Sequence, residues 1–595
     1  MPTLRPIGFL AVQRPLVRRC VPPQVASPRR ALRSGFASVF RVVLVAALGA
    51  AGLCGKSCWA AEKSASHAAA LDSIRIEDLS RHAGALADDA LEGREAGTRG
   101  GRAAAKYIAE QFGRLGLLGG GVDGGYEQPF GAEMRNVVGV LRGADARLGA
   151  EYVVLGAHYD HVGYGTAKTS RGPIGLVHNG ADDNASGVAA MLEVAEALTL
   201  LPAPPRRSIF FIAFDAEEKG LLGSRHWTAH ANPPIDQCAA MVNLDMVGRL
   251  RDDRLGVFGA RSARGWRRLV GEANQDVALA LDFNWMLKDH ADHWPFYVAG
   301  VPVLMLHTGL HDDYHRPSDD VERLEPAGMS RVGRLTFELV CRLADDPERL
   351  APRSEASSET ETMRRRLEAK RAPLPDRLGV SWKPDAPGAH DADEALGVVL
   401  ARVFPGSPAQ RAGLRAGDRV ERFAGRDIRR GDDLIGAVRA AVSPATATVV
   451  RPGQPEPIEL SCELDGKPNP IGLLWRSDAA EPGAAIVTLV IPGTPAAAAG
   501  LRAGDRIYRV EGQALADEAD AVRRLDGVAG PVELEIEREG RISSARIELP
   551  AQSPDDAEPT TPNGRNGAFA SHPSRQRSSP AVGSTADRLV TPSSP

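Results

Sequence analysis

The sequence predicts an α/β domain with a largely parallel central sheet, followed by two small domains related by an internal repeat. Two observations lead there. Residues 71–345 alternate short apolar runs of strand character with amphipathic helical ones. Further on, the thirteen-residue block Gly406–Asp418 returns almost unchanged as Gly493–Asp505, 87 residues later. At 595 residues the chain is also too long for a single core.

The chain begins differently from the rest. No Asp or Glu precedes Glu62, arginines are frequent, and an apolar run, Val42–Leu53, follows Arg41 and leads to Cys58-Trp-Ala-Ala61. A charged segment, an apolar segment and small residues in that order read as a secretory leader, with cleavage near Ala60. The run is too short to span a bilayer comfortably. Residues 1–61 are therefore expected to be a leader, and the mature protein to be exported to the periplasm or the exterior. The forty residues before the run are long for such a leader, and an Arg-rich transit peptide fits them too. Cys54 leaves membrane association through a lipid open, although the residues before it match a lipoprotein signal poorly. Cys20, Cys54 and Cys58 belong to this region; Cys238, Cys341 and Cys462 are scattered and form no CxxC pair, so a thiolate metal site is not expected. A net charge of −4 with no strongly basic half argues against nucleic acid as a partner.

Within 71–345, strands are expected at Asn136–Leu141, Tyr152–Ala157, Ser208–Phe214, Ala239–Leu244 and Val301–Leu306. Helices are expected at Gly101–Leu115, Ser186–Leu200 and after Pro326. Five short polar islands are set among them: His158-Tyr-Asp160, Gly180-Ala-Asp-Asp183-Asn-Ala-Ser-Gly187, Glu217-Glu218, Asn243-Leu-Asp245 and Tyr314-His315. Singly, each has an ordinary explanation. Asp182, Asn184 and Ser186 would serve as helix caps, and Glu217-Glu218 would pass for an acidic surface pair. Together they supply two imidazoles, several carboxylates and a spare Glu, and His158, Glu217, Asp245 and His315 all follow expected strands. Ligands of α/β sheets gather beyond the carboxyl ends of strands. That inventory suits a two-metal hydrolase with its own general base.

These residues resemble the co-catalytic zinc exopeptidase family that includes bacterial leucyl aminopeptidases, glutamate carboxypeptidase II and glutaminyl cyclase. The resemblance covers about 71–345 and extends to Gly93-Arg-Glu-Ala-Gly-Thr98, Asn136-Val-Val-Gly139, Gly220-Leu-Leu-Gly-Ser224 and Asp292-His-Trp-Pro-Phe296. It implies a three-layer α/β/α domain with a mixed, largely parallel sheet, holding two Zn2+ ions bridged by Asp183. His158 and Asp245 would complete one half-site, and Glu218 and His315 the other. Glu217 would be the general base, Asp160 an orienting residue beside the ligands, and Tyr314 a group that polarises the carbonyl. Family members often have Ser and Thr where Ala291 and Arg316 stand, which touches pocket details rather than ligands. His161, His178, His226, His290, His307 and His311 are expected to be structural or superficial, with His178 and His307 the two best placed to meet substrate.

The repeated block, Gly-[Ser/Thr]-Pro-Ala-x-x-Ala-Gly-Leu-x-x-Gly-Asp, resembles the bacterial type of PDZ domain. The copies are expected at 376–465 and 468–550. Leu378-Gly379-Val380 and Ile471-Gly472-Leu473 match the loop that binds a peptide's terminal carboxylate, with groove helices near Asp432–Ala441 and Ala519–Leu525. Backbone N–H groups in such a loop suit an anion, and an adjacent strand can accept a peptide by β-addition. The same Gly and Pro residues would be present if the loops only built turns. Residues 346–375, polar and charged, read as a linker. The Ser- and Pro-rich segment 551–595 holds too few large apolar residues to fold and reads as a disordered tail.

The reading that unites these features is an exported dizinc aminopeptidase acting on peptides, with PDZ modules that bind peptide or protein C-termini. Carboxypeptidase or glutaminyl cyclase chemistry on the same fold stays open, as does an inactive scaffold acting through the PDZ pair. Cyclases of the family hold one zinc, and the complete ligand set favours hydrolysis.

Overall fold

The computed structural model describes residues 65–369, 376–383, 397–526 and 530–549. The expected leader, the tail and residues 370–375 of the expected linker lie outside them. Two compact units are present, the first running to Arg364 and including Glu539–Arg541, the second beginning at Arg365.

The first unit is built on a nine-stranded sheet. Its strands are β1 (Leu118–Gly119), β2 (Glu127–Phe130), β3 (Met134–Leu141), β4 (Tyr152–His158), β5 (Ser208–Phe214), β6 (Cys238–Leu244), β7 (Arg254–Phe258), β8 (Ala280–Phe283) and β9 (Val303–His307). They run in the order β1-β3-β5-β4-β6-β9-β7-β8, with β2 on β3. The centre, β5-β4-β6-β9, is parallel, and so is β7–β8. The pairs β3–β5 and β7–β9 are antiparallel, as are those of β1 and β2 with β3. The sheet is thus mixed, with a parallel centre, a parallel pair at one edge and antiparallel pairing elsewhere.

Every residue of β4, β5, β6 and β9 is buried, which is why these strands read as continuous apolar runs. Among the described residues, the helices that cover the sheet include α1 (Ile76–Leu86), α2 (Arg99–Arg114), α3 (Gly187–Thr199), α4 (Leu222–Ala229), α5 (Trp266–Ala273), α6 (His293–Val298) and α7 (Pro326–Asp345). The pleat sorts β4 between two cores. Val153, Leu155 and Ala157 pack with residues of α1, α2, α3, α5 and α7. Tyr152 and Val154 pack with Trp227 of α4 and Phe296 of α6. Helices on both faces make the three-layer α/β/α arrangement. Local signals set the helix ends: the Thr98 hydroxyl accepts from the Gly101 amide ahead of α2, and Pro326 opens α7. The strands β7 and β8 were not anticipated, since RLGVF and ALDF are short and only partly buried.

The stretch after α7 is less of a linker than its polarity suggests. Ala356 is buried in the core beneath α4 and α6. Glu359 pairs with Arg261 at 2.5 Å and with Arg353 at 2.8 Å. These charges satisfy one another largely out of solvent, so a polar composition did not mean solvation. A helix, Glu361–Glu368, follows.

The second unit contains two six-stranded sheets. The first comprises β10 (Val380–Trp382), β11 (Val398–Val403), β12 (Arg419–Phe423), β13 (Arg426–Asp427), β14 (Ala445–Arg451) and β15 (Gln454–Cys462). The second comprises β16 (Leu473–Arg476), β17 (Ala485–Val490), β18 (Arg506–Val510), β19 (Gln513–Ala514), β20 (Val532–Arg538) and β21 (Arg541–Ile547). Their orders, β10-β11-β12-β14-β15 and β16-β17-β18-β20-β21, are equivalent, each with a short strand on its third member. The expected groove helices stand at Gly431–Ala440 and Glu518–Asp526, and each module has its own apolar cluster. Cys238, Cys341 and Cys462 are free and buried. Among the described residues, no helix is long and apolar enough to cross a membrane.

Candidate active site

The polar islands converge at one end of the central sheet. His158 is the last residue of β4, Glu217 and Glu218 lie just past β5, and Asp245 directly follows β6. These three strands are parallel neighbours, so their carboxyl ends open side by side. Asp183 reaches them from the irregular turn Ala181–Ser186 that leads into α3. His315 comes from the loop after β9, with its backbone in the left-handed region at φ 56°.

Two hydrogen bonds define the imidazoles. His158 Nδ1 donates to the Asp160 carbonyl at 3.1 Å, and His315 Nδ1 donates to the Thr169 carbonyl at 2.8 Å. With Nδ1–H committed to backbone, Nε2 of each ring carries the free lone pair. His158 Nε2 lies 3.3 Å from Asp183 Oδ1 and 3.8 Å from Asp245 Oδ1. His315 Nε2 lies 3.1 Å from Asp183 Oδ2 and 3.0 Å from Glu218 Oε1. It makes no hydrogen bond to either although it is buried. The atoms converge as ligand atoms do around a cation. Asp183 thereby turns one oxygen toward each histidine. Among the described residues, two groups of side chains could hold a metal: His158, Asp183 and Asp245, and His161, Asp183, Glu218 and His315, with ligand atoms in each within 4.8 Å of one another. The donor set of imidazole nitrogen and carboxylate oxygen suits zinc.

His161, expected to be structural, belongs to the second group. Its Nδ1 is 3.1 Å from Glu218 Oε1 and 3.8 Å from Asp183 Oδ2, and its ring is buried. The signal was its position three residues after His158. His161→Ala is expected to weaken zinc retention at that half-site by at least tenfold, about the loss caused by removing a partner of a ligand. Competition against a chromogenic chelator measures it.

Burial alone would keep the His158 ring neutral, but Glu217, Asp183 and Asp245 outweigh it and hold His158 well above the usual histidine range. Burial likewise raises Asp183, yet His158 and His315 hold it well below the usual carboxylate range. Burial pushes the Glu217 carboxyl well above that range; His158 opposes this, and Glu218, Asp292 and Asp245 add to it.

Buried polar residues fix this geometry. The Asp160 carboxylate accepts the amides of Glu217 at 3.0 Å and Glu218 at 3.3 Å, so it positions the Glu pair, while its backbone carbonyl positions His158. Asp319 accepts the Asp182 and Asp183 amides at 3.1 Å and is paired with Arg249 at 2.7 Å. Asn184 donates to the Leu244 carbonyl and accepts the Met246 amide, tying the Asp183 turn to the segment that carries Asp245. Arg94, fully buried, donates to the carbonyls of Tyr159, Leu86, Asn179 and Gly180 and so joins the His158 and Asp183 islands. Burial lowers its pKa to about 10, still charged at neutral pH. Arg94→Met would strand these buried acceptors, each about 1–3 kcal/mol when left unpaired. We expect a loss of at least about 3 kcal/mol in chemical denaturation.

A cavity of about 190 Å³ opens onto the centre. It is lined by His158, Asp183, Glu217, Glu218, Asp245 and Tyr314, and beyond these by Arg171, Met246, Lys288, Met305 and His307 among others. Tyr314 stacks on His315 with centroids 3.9 Å apart, and the Arg171 guanidinium lies 4.6 Å from the Tyr314 ring centre. His307 meets the cavity as anticipated. His178 does not line it: its ring is held by Leu176 and Ser170.

In the first C-terminal module, Leu378, Val380 and Trp382 face Leu434, Ile435 and Val438 across an apolar cavity of about 380 Å³. Leu489, Ile491 and Pro492 of the second module also line it. Gly379 and Gly472 have φ of 80° and 84°, and a Cβ at either would lie within 2.5 Å of Ser407 or Thr494. The Leu378 and Val380 amides, expected to meet a peptide carboxylate, donate to the Asp376 carboxylate at 3.0 Å each. In the second module the Gly472 amide donates to Asn469 Oδ1. Ser477 and Glu518, at the ends of the groove strand and helix, are bonded at 2.8 Å.

Residues 136–340 match the family model described as Peptidase family M28, and residues 399–452 and 486–538 match that of the PDZ domain. The aminopeptidase YwaD of Bacillus subtilis is 28% identical over 216 residues, 35% of this chain and 44% of that protein. Leucine aminopeptidase 1 of Trichophyton rubrum is 34% identical over 214 residues, 33% of this chain and 55% of its own length. The chain thus spans about half the length of the curated relatives it matches. Among solved structures, the LapA aminopeptidase of Legionella pneumophila aligns with a TM-score of 0.39 at 20% identity, covering 47% of this chain and 74% of that one. The chain carries a zinc-metallopeptidase domain of peptidase family M28, followed by two PDZ domains.

Proposed function

We propose that the protein is a dizinc exopeptidase that removes N-terminal residues from peptides. The carrying observation is the pair of imidazoles whose Nδ1–H groups are committed to backbone carbonyls and whose Nε2 atoms face opposite oxygens of Asp183. His158, Asp183 and Asp245 would hold one ion. Asp183, Glu218 and His315, with His161, would hold the other. When bound, the pair supplies Lewis-acid polarisation of the scissile carbonyl and makes water more acidic.

The side chains do the rest. Glu217, beside the ligands and lining the cavity, takes a proton from the attacking water and returns it to the leaving nitrogen. Asp160 keeps the Glu217 backbone in place for both transfers. Tyr314, stacked on His315, offers its hydroxyl to the developing oxyanion. The PDZ pair adds an apolar groove for a peptide or a partner's segment. The apolar run Val42–Leu53 behind Arg41 supports export.

The test is cleavage of free-amine and N-blocked peptides by the full chain, with and without chelator. Chelator-sensitive cleavage limited to free-amine substrates is expected. Cleavage limited to the carboxyl terminus would overturn the aminopeptidase reading.

A further inference from the structure

The cavity beside the metal ligands contains a cation that the proposed chemistry does not use. Lys288 stands on the segment between β8 and α6, half-buried, with its ammonium 4.4 Å from the Phe258 ring centre. Among the described residues it makes no ion pair or hydrogen bond. Its backbone is left-handed at φ 51°. Burial lowers its pKa, with Asp245 opposing. A charge removed from water without a partner is costly, and a counter-anion relieves that cost.

The remaining charges point the same way. The carboxylates that line the cavity are Asp183, Glu217, Glu218 and Asp245. All four are taken by the metal sites and the proton transfer, so none is left over for Lys288. Arg171, over the Tyr314 ring, adds a second cation to the wall. Met246 and Met305 supply apolar wall suited to a short methylene stem. A positively charged terminal side chain would meet Lys288 at low dielectric and be repelled, whereas a carboxylate would complete it.

We propose that Lys288 sets the specificity of the site for a terminal residue with a carboxylate side chain, glutamate or aspartate. This rests on the aminopeptidase reading. Lys288 is a specificity-determining residue here, paired with the substrate's side-chain carboxylate, and the bond cleaved is the peptide bond following that residue.

The test uses the full zinc-loaded chain and a panel of C-terminally amidated peptides that differ only in a free N-terminal Glu, Asp, Leu or Lys. The expected kcat/KM for Glu or Asp exceeds those for Leu and Lys by at least tenfold. Lys288→Met should collapse that ratio to within about threefold, and Lys288→Glu should reverse it in favour of Lys. Zinc content and thermal melting of each variant show whether it has folded; if Lys288→Glu does not fold, the Met ratio decides. Leu or Lys preferred by the wild type, or a ratio unmoved in Lys288→Met, overturns the inference while leaving the peptidase reading intact. No cleavage of any peptide with both metals bound overturns both. N-acetylated peptides with a free C-terminal acid form the remaining arm. Cleavage there alone would mean that Lys288 reads a terminal α-carboxylate, and the side-chain assignment fails.

Discussion

Glu217→Gln is expected to lower kcat by about 10²–10⁴-fold, the usual contribution of a positioned acid–base group. Zinc content should stay at the wild-type level. The reason is the division of labour within Glu217-Glu218. Glu218 Oε1 lies 3.0 Å from His315 Nε2 and belongs to a possible ligand group, whereas Glu217 belongs to neither group yet lines the same cavity. Gln preserves the size of the side chain and the backbone bond from residue 217 to Asp160, so folding should be unaffected. Metal analysis alongside kcat separates the roles. A Glu217→Gln protein that lost its zinc would place the residue among the ligands instead. Retained turnover would remove it from the mechanism.

Asp183→Asn should have the broader effect, because one side chain faces both histidines. Its Oδ1 is 3.3 Å from His158 Nε2 and its Oδ2 is 3.1 Å from His315 Nε2. Losing its charge weakens both half-sites at once, by more than the roughly 10–100-fold cost of disturbing a ligand's partner. Asp245→Asn should weaken only the half-site that contains His158. Stepwise zinc titration of the two variants makes the comparison, and equal effects from both would rule out a bridging Asp183. Ligand-linked stabilisation gives a second readout. Chelator should lower the melting temperature of the wild type and do little to Asp183→Asn.

Much of the scaffold around these residues was legible in the chain. The central strands announce themselves because each is buried on both faces and so is apolar throughout. The repeat was visible because two copies of one fold need the same turns. Legibility failed where composition and burial part company. The short strands Arg254–Phe258 and Ala280–Phe283 carry too few apolar residues to stand out. The stretch 346–364 looked like a solvated linker, yet Glu359 binds it to Arg261 through a buried ion pair.

The candidate site divides in the same way. The sequence by itself put His158, Glu217-Glu218, Asp245 and His315 beyond apolar runs, and the family resemblance proposed their roles together with that of Asp183. A ligand's identity is a local property of the chain, and strand ends are set by local hydrophobic runs. Only the tertiary structure decided what those residues meet. It brought His161 into the metal group, moved His178 out of the cavity, put Arg94 beneath two islands at once and left Lys288 in the wall beside Phe258. It also showed the Asp376 carboxylate on the amides that a peptide terminus was expected to take. Each of these depends on the packing of segments far apart in sequence, where distances of a few ångström decide between a ligand, a support and a bystander.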